Sequence, residues 1–254
     1  MQSRLLKQLI YGTFYLAIIF GVGYLFYLPF KFPPSCFDCK LNQSETEIDC
    51  GGSCQPCELK RLKPITISPV TIFDVGGGKL TALFEMRNLN VNFGAERLTY
   101  KINFYNSAGT LISSLAKDSF IYPGEIKLVM EAGINLDPRS IIRADTELSG
   151  FNWQSVSQFA LPKTSTRDLK VEVEPAERRA LVSGFLVNEN SFKLSQVVLN
   201  VVIHNSLGVR VGASKTLLEN IQPFEDRNFL VIVPSIDLSD VSRDWVRIGI
   251  EVNY

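Results

Sequence analysis

The most reactive side chains of this 254-residue chain are its five cysteines, and all of them fall between Cys36 and Cys57. The stretch reads C-F-D-C-K-L-N-Q-S-E-T-E-I-D-C-G-G-S-C-Q-P-C, too short to bury a core of its own, so cross-links or a metal must order it. Three chemistries suit these residue types. In an oxidising compartment, four of the five thiols can close two disulfides, leaving one thiol. The pairs Cys36-x2-Cys39 and Cys54-x2-Cys57, 14 residues apart, have the spacing of a zinc ribbon built on four thiolates. Asp38, Asn42, Glu45 and Asp49 are hard oxygen donors of the kind Ca²⁺ collects, though not at EF-hand spacing. Gly51-Gly52 reads as a turn where the chain comes close to itself, and Asn42-Gln43-Ser44 has the form of a glycosylation sequon.

Elsewhere the chemistry is sparse. A single histidine, His204, excludes multi-histidine metal sites and leaves no Ser/His/Asp, Cys/His or H-E-x-x-H arrangement. By parity His204 reads as a surface strand residue before a turn. Trp153 and Trp245 read as sandwich packing, and Asp237, Ser239, Asp240 and Ser242 as a loop before the last strand. Gly76-Gly77-Gly78 lacks the Gly-Lys-Ser/Thr of a phosphate loop and reads as a hairpin. The 26 basic and 26 acidic residues cancel, so nothing points to nucleic acid.

Which chemistry the cysteines meet depends on the element before them. Residues 8–30 carry no charge, and 23 residues of helix reach roughly 34 Å, enough for a hydrocarbon core of about 30 Å. Arg4 and Lys7 precede this stretch and the first acid is Asp38, so the positive flank is N-terminal. The expectation is an uncleaved single-pass anchor in the cell membrane. Residues 1–7 would be a cytoplasmic tail and 31–254 extracytoplasmic, where thiols oxidise. A cleaved signal would need a shorter apolar run and small residues at the cut, which Leu28-Pro29-Phe30-Lys31-Phe32-Pro33-Pro34 does not offer. A lipoprotein cut before Cys36 would need an apolar residue where Pro33 stands.

The cysteine stretch resembles a short motif of bacterial surface proteins, C-x-D-G-x-x-N-x-x-E-x-x-x-D-C-G-G-x-C-x-x-C, through Cys36, Asp38, Asn42, Glu45, Asp49, Cys50, Gly51, Gly52, Cys54 and Cys57. Cys39 stands where that pattern has glycine. The resemblance implies an exported protein, with Cys36, Cys50, Cys54 and Cys57 as the disulfide cysteines and Cys39 unpaired. The metal sets remain open beside it: Asp38, Asn42, Glu45 and Asp49 for Ca²⁺, or Cys36, Cys39, Cys54 and Cys57 for Zn²⁺.

From Pro64 onward the pattern has period two. Leu80, Ala82, Phe84 and Met86 alternate with Thr81, Leu83, Glu85 and Arg87, and similar runs occur at Leu98–Phe104, Ile142–Leu148, Val197–Ile203 and Val246–Val252. Turn signals at Asn106-Ser107-Ala108-Gly109 and Pro123-Gly124 separate them, and no helical stripe follows the anchor. The signals recur after about 100 residues: Asn88-Leu89-Asn90 with Asn188-Glu189-Asn190, Asn106 with Asn205, Pro123-Gly124-Glu125 with Pro223-Phe224-Glu225, and Arg143 and Glu147 with Arg247 and Glu251. The expected fold is all-β: a cysteine-rich collar (31–61), then two tandem immunoglobulin-like β-sandwiches at 62–161 and 165–254, joined by a polar linker at 162–166.

The second unit is similar to the FxLYD family of bacterial immunoglobulin-like domains, through Val187-Asn188-Glu189-Asn190-Ser191, Val197–His204, Asn205-Ser206-Leu207-Gly208-Val209 and Leu218–Glu225. That family has glycine where Phe224 stands. The resemblance implies a seven-strand sandwich outside the membrane and offers no catalytic residue. The functional expectation is a non-catalytic component of the cell surface or envelope with a protein or envelope partner. A metal-binding module based on the collar is the alternative, and an enzyme comes after that.

Overall fold

The computed structural model describes residues 2–31, 34–234 and 241–253. Phe32 and Pro33, part of the cleavage-site reading, and Asp237, Ser239 and Asp240 lie outside the described residues, as does the side chain of Ser242. The chain divides into two compact units, Met1–Leu62 and Lys63–Tyr254.

The first unit opens with helix α1 (Gln2–Lys31). Within it, Leu6–Leu28 is long and apolar enough to cross a membrane, and none of it is buried in protein. Side chains such as Leu9, Phe14, Phe20 and Phe26 point outward around the helix. An apolar helix without a protein-facing side suits hydrocarbon, where every backbone polar group is satisfied within the helix. The disulfide-bridged collar follows, ending in a 3-10 turn at Cys57–Arg61.

The second unit is all-β. Its strands are β1 (Thr66–Ile67), β2 (Thr71–Gly76), β3 (Lys79–Arg87), β4 (Phe93–Tyr105), β5 (Leu111–Ile121), β6 (Ile126–Ile134) and β7 (Arg143–Ser155), then β8 (Thr164–Glu174), β9 (Arg179–Asn188), β10 (Leu194–Asn205), β11 (Arg210–Ile221), β12 (Asp226–Pro234) and β13 (Val241–Asn253). All pairings are antiparallel. In the first repeat, sheet 1a contains β1, β2, β3 and β6, and sheet 1b runs β5-β4-β7. In the second, sheet 2a runs β12-β9-β8 and sheet 2b runs β11-β10-β13. Sheets 1a and 2a are therefore equivalent, as are 1b and 2b.

Each repeat closes on its own core. Leu80, Ala82, Phe84 and Met86 of β3 meet Leu98, Tyr100, Ile102 and Phe104 of β4. Ala180, Val182 and Leu186 of β9 meet Val197, Leu199, Val201 and Ile203 of β10. A third buried cluster joins Leu83, Leu128 and Met130, on the outward side of sheet 1a, to Val202 and Ala213, on the outward side of sheet 2b. The two repeats thus pack face to face within one unit. Period two places Leu83 on the polar side of β3, yet Leu83 is fully buried and Val202 is 1% exposed. The physical reason is in the local sequence. L-T-A-L-F-E-M and V-V-L-N-V-V-I are almost continuously apolar, as expected of strands covered on both faces.

Candidate functional site

The collar is held by two disulfides, Cys36 to Cys54 and Cys50 to Cys57, with Cys39 an exposed free thiol. Each bridge contributes about 2–4 kcal/mol by restricting the unfolded loop. Gly51 and Gly52 both have positive φ, and a Cβ added to Gly52 would lie 2.1 Å from the Ser44 carbonyl oxygen. Cys39 also has positive φ (58°), and its N–H donates to both carboxylate oxygens of Asp49 at 3.0 and 3.1 Å. The turn at Cys39 is thus made at the cost of a left-handed non-glycine residue.

The three carboxylates of the calcium reading, Asp38, Glu45 and Asp49, are occupied in shaping this loop. Asp38 accepts from the Lys40 N–H (2.9 Å) and the Asn42 side-chain amide (2.9 Å). Glu45 accepts from the N–H groups of Asn42 and Asp49. The Asn42 amide first, then the Ser35 and Lys40 N–H groups and the Lys40 charge, hold the Asp38 carboxyl below its ordinary range against opposing desolvation. Asn42 Oδ1 is buried without a partner, and the sequon nitrogen of Asn42 is engaged by Asp38. Two groups of possible ligand atoms converge among the described residues: Cys36, Glu45 and Cys54, and Glu47, Cys50 and Cys57. In each, two of the three are sulfurs bridged in disulfides, which offer no thiolate. Of the zinc set Cys36, Cys39, Cys54 and Cys57, only Cys39 keeps its thiol while the bridges stand.

The recurring Asn-x-Asn signals are backbone clamps. Asn88, 1% exposed, donates to the carbonyls of Phe93 (2.7 Å) and Tyr122 (3.0 Å), and its Oδ1 accepts from the Asn90 N–H. Asn90 then pairs with the backbone of Lys63 through both N–H and C=O. Asn188 and Asn190 repeat the arrangement on Phe192, Gln222 and Lys163. In both repeats the clamp fixes where the chain enters the sandwich. Asn106 and Asn205 likewise cap their turns, each Oδ1 accepting two backbone N–H groups.

Charged groups ring the apolar contact between the repeats. Arg210 and Arg247 both reach Glu85, the latter at 3.1 Å. Lys127, 4% exposed, binds Glu251 at 2.9 Å and the Phe120 carbonyl at 3.0 Å, and its ammonium lies 3.4 Å from the centre of the Phe120 ring. Desolvation pushes the Lys127 pKa below the usual lysine value, against the pull of Glu251. Desolvation likewise raises Glu125, although its carboxylate accepts the Tyr122 N–H. Glu131, inside the first sandwich, accepts from the Tyr100 hydroxyl (2.6 Å) and pairs with Lys117; Lys215 from the second repeat donates to the Met130 carbonyl at 2.6 Å. Tyr100 is raised by burial first and by Glu131 second. Arg247 and Glu251, legible in sequence only as an echo of Arg143 and Glu147, thus both cross this seam.

The remaining sequence candidates are placed simply. His204 Nδ1 lies 3.2 Å from the Trp245 carbonyl oxygen. Trp153 stacks on Phe151 at 5.7 Å and packs against the first core; Trp245 is partly exposed. Gly76-Gly77-Gly78 forms the exposed β2–β3 hairpin, all three with positive φ. An open cleft of about 430 Å³ is lined by Phe120, Tyr122, Gln154, Gln158 and Phe159, with Glu96 as its single carboxylate.

No family model and no curated protein matches this chain. Among solved structures, the N-terminal CBM22-1–CBM22-2 tandem domain of Xyn10C from Paenibacillus barcinonensis is similar over 75% of this chain and 83% of that one, at 10% identity and a TM-score of 0.11. A likeness that slight carries no argument about fold or function.

Proposed function

We propose that this is a single-pass membrane protein, anchored by α1 with its N-terminus in the cytoplasm. Its collar and FxLYD-like sandwiches lie outside, and it serves without catalysis as a surface or envelope component that presents binding faces to a protein or envelope partner. The observation that supports this most is the helix Leu6–Leu28, long and apolar enough to cross a membrane and without protein cover, leading into a module with two disulfides. The positive flank at Arg4 and Lys7 supports the orientation. The seam supports a stiff carrier, because two sandwiches joined by a buried cluster hold their outer faces in one fixed relation.

Protease added to intact cells is expected to remove a C-terminal tag. A tag that stays protected until the cells are lysed would overturn the orientation, and the disulfide reading with it. On the purified full chain in detergent, a thiol count before reduction is expected to find one reactive group, Cys39, and five after reduction and unfolding. Stoichiometric zinc, released with four thiols and without reductant, would favour the metal module instead.

A further inference from the structure

Sheets 1a and 2a are equivalent, but among the described residues only the outward side of sheet 1a is covered. Met130 on its outward side is 2% exposed, whereas the matching Leu230 on sheet 2a is 54% exposed. Beside it, Ile232 is 47% and Phe185 is 36% exposed. Register places Ile232 opposite Leu181, Leu230 opposite Ser183 and Asn228 opposite Phe185, so the apolar side chains form one patch across β9 and β12. This is not how every outer face of the molecule looks. On sheet 1b the outward residues Thr99, Lys101 and Asn103 sit opposite Ser149, Glu147 and Asp145. A contiguous apolar patch rimmed by charge is the mark of a contact surface.

The rim indicates what covers it. On β8, Lys170 lies opposite Ser183 and Glu172 opposite Leu181, both exposed and without an ion pair among the described residues. The order along the strand is therefore basic then acidic, with a small and then a large residue beside it on β9. A two-fold axis running across the strands, between these two rows, lays β8 antiparallel over its own copy. Lys170 then meets the partner's Glu172, Leu181 sits over the partner's Ser183, and Leu230 over the partner's Ile232. The surface is complementary to itself in both charge and size, which is what an isologous contact requires.

We propose that sheet 2a is a homodimer face, on which two copies of this chain pack their β8-β9-β12 sheets together about a two-fold axis. The test uses the full chain in detergent, with its mass measured by light scattering. The wild type is expected to dimerise, and L230K/I232K to be a folded monomer, with the wild-type circular dichroism spectrum and a melting temperature that no longer depends on protein concentration, since both side chains are exposed in the single chain. K170E sets glutamate against glutamate twice and is expected to weaken the dimer about tenfold. K170E/E172K reverses the pair and is expected to restore it, an outcome a merely hydrophobic contact would not give. A monomeric wild type overturns the proposal. So does a dimer that survives L230K/I232K, as one held by α1 would, or a K170E/E172K variant no tighter than K170E.

Discussion

The two repeats share a scaffold and differ in what they show to the outside. Asn88 and Asn188 make the same contacts one repeat apart, and Glu125 and Glu225 each accept a backbone N–H at the same turn. On the equivalent strands β6 and β12 the pattern diverges. Lys127 and Glu131 are buried charges in the first repeat, where the second has the more exposed Arg227 and the buried Val231. Side chains that bind backbone are thus repeated, while those that face a neighbouring layer are individual. The clamp defines the repeat, and the outward residues of 1a and 2b define how the repeats are joined.

The strongest way to test this is to break both clamps. Asn88→Ala and Asn188→Ala each strand buried carbonyls and an N–H, and each is expected to lower stability by about 3–5 kcal/mol. Denaturant titration should show nearly equal losses; a large difference would mean that the shared geometry hides different roles. Next comes the seam. Val202→Lys forces an unpaired charge into the third cluster and is expected to split one unfolding transition into two in calorimetry. Leu83→Ala should cost about 2–4 kcal/mol, as for a core residue, because Leu83 is buried between two sheets.

A smaller effect comes from Lys127. Its pKa is lowered in the folded protein, so between that value and the ordinary one near about 10.4 the unfolded chain binds more protons. The Lys127 contribution to stability therefore rises with pH through that window. In K127M the rise is expected to vanish, so the wild-type minus mutant difference should grow with pH; a constant difference would mean that burial is not governing this group. The smallest effect sharpens the comparison at a single turn. Gly124 has φ of 68° and Phe224 has φ of 57° while 70% exposed. Phe224→Gly is expected to stabilise by about 1 kcal/mol, seen as a higher melting temperature, because it relieves a left-handed phenylalanine and loses almost no packing.

Much of this was readable from residue pattern alone. Alternation along Leu80–Met86 and Val197–Ile203 gives the strands and their inward sides, and the repeat spacing pairs the two sets of turns. The roles of Asn88 and Asn188 were visible as a recurrence but not as a clamp, since their partners at Tyr122 and Gln222 lie more than thirty residues away. The seam was hidden for a different reason. Period two assumes one wet face per strand, and Leu83, Val202 and Met130 break that assumption only in company with a second sheet. The continuous apolar runs of β3 and β10 were the available signal. In the collar, residue types allowed bridges, zinc or calcium alike. What separates them is which side-chain atoms converge and which are spent on loop N–H groups, and that is a matter of three-dimensional placement.

Asn90 and Asn190 each grip the main chain at the first residues of their repeat, Lys63 and Lys163. Mechanical load drawn along the polypeptide from its N-terminal side would reach the two Lys63–Asn90 hydrogen bonds before it reached β1. Such a pull therefore enters the first sandwich through Asn90, next to the end of β3, and does not begin to peel β1 from β3 until the Asn90 pair has sheared.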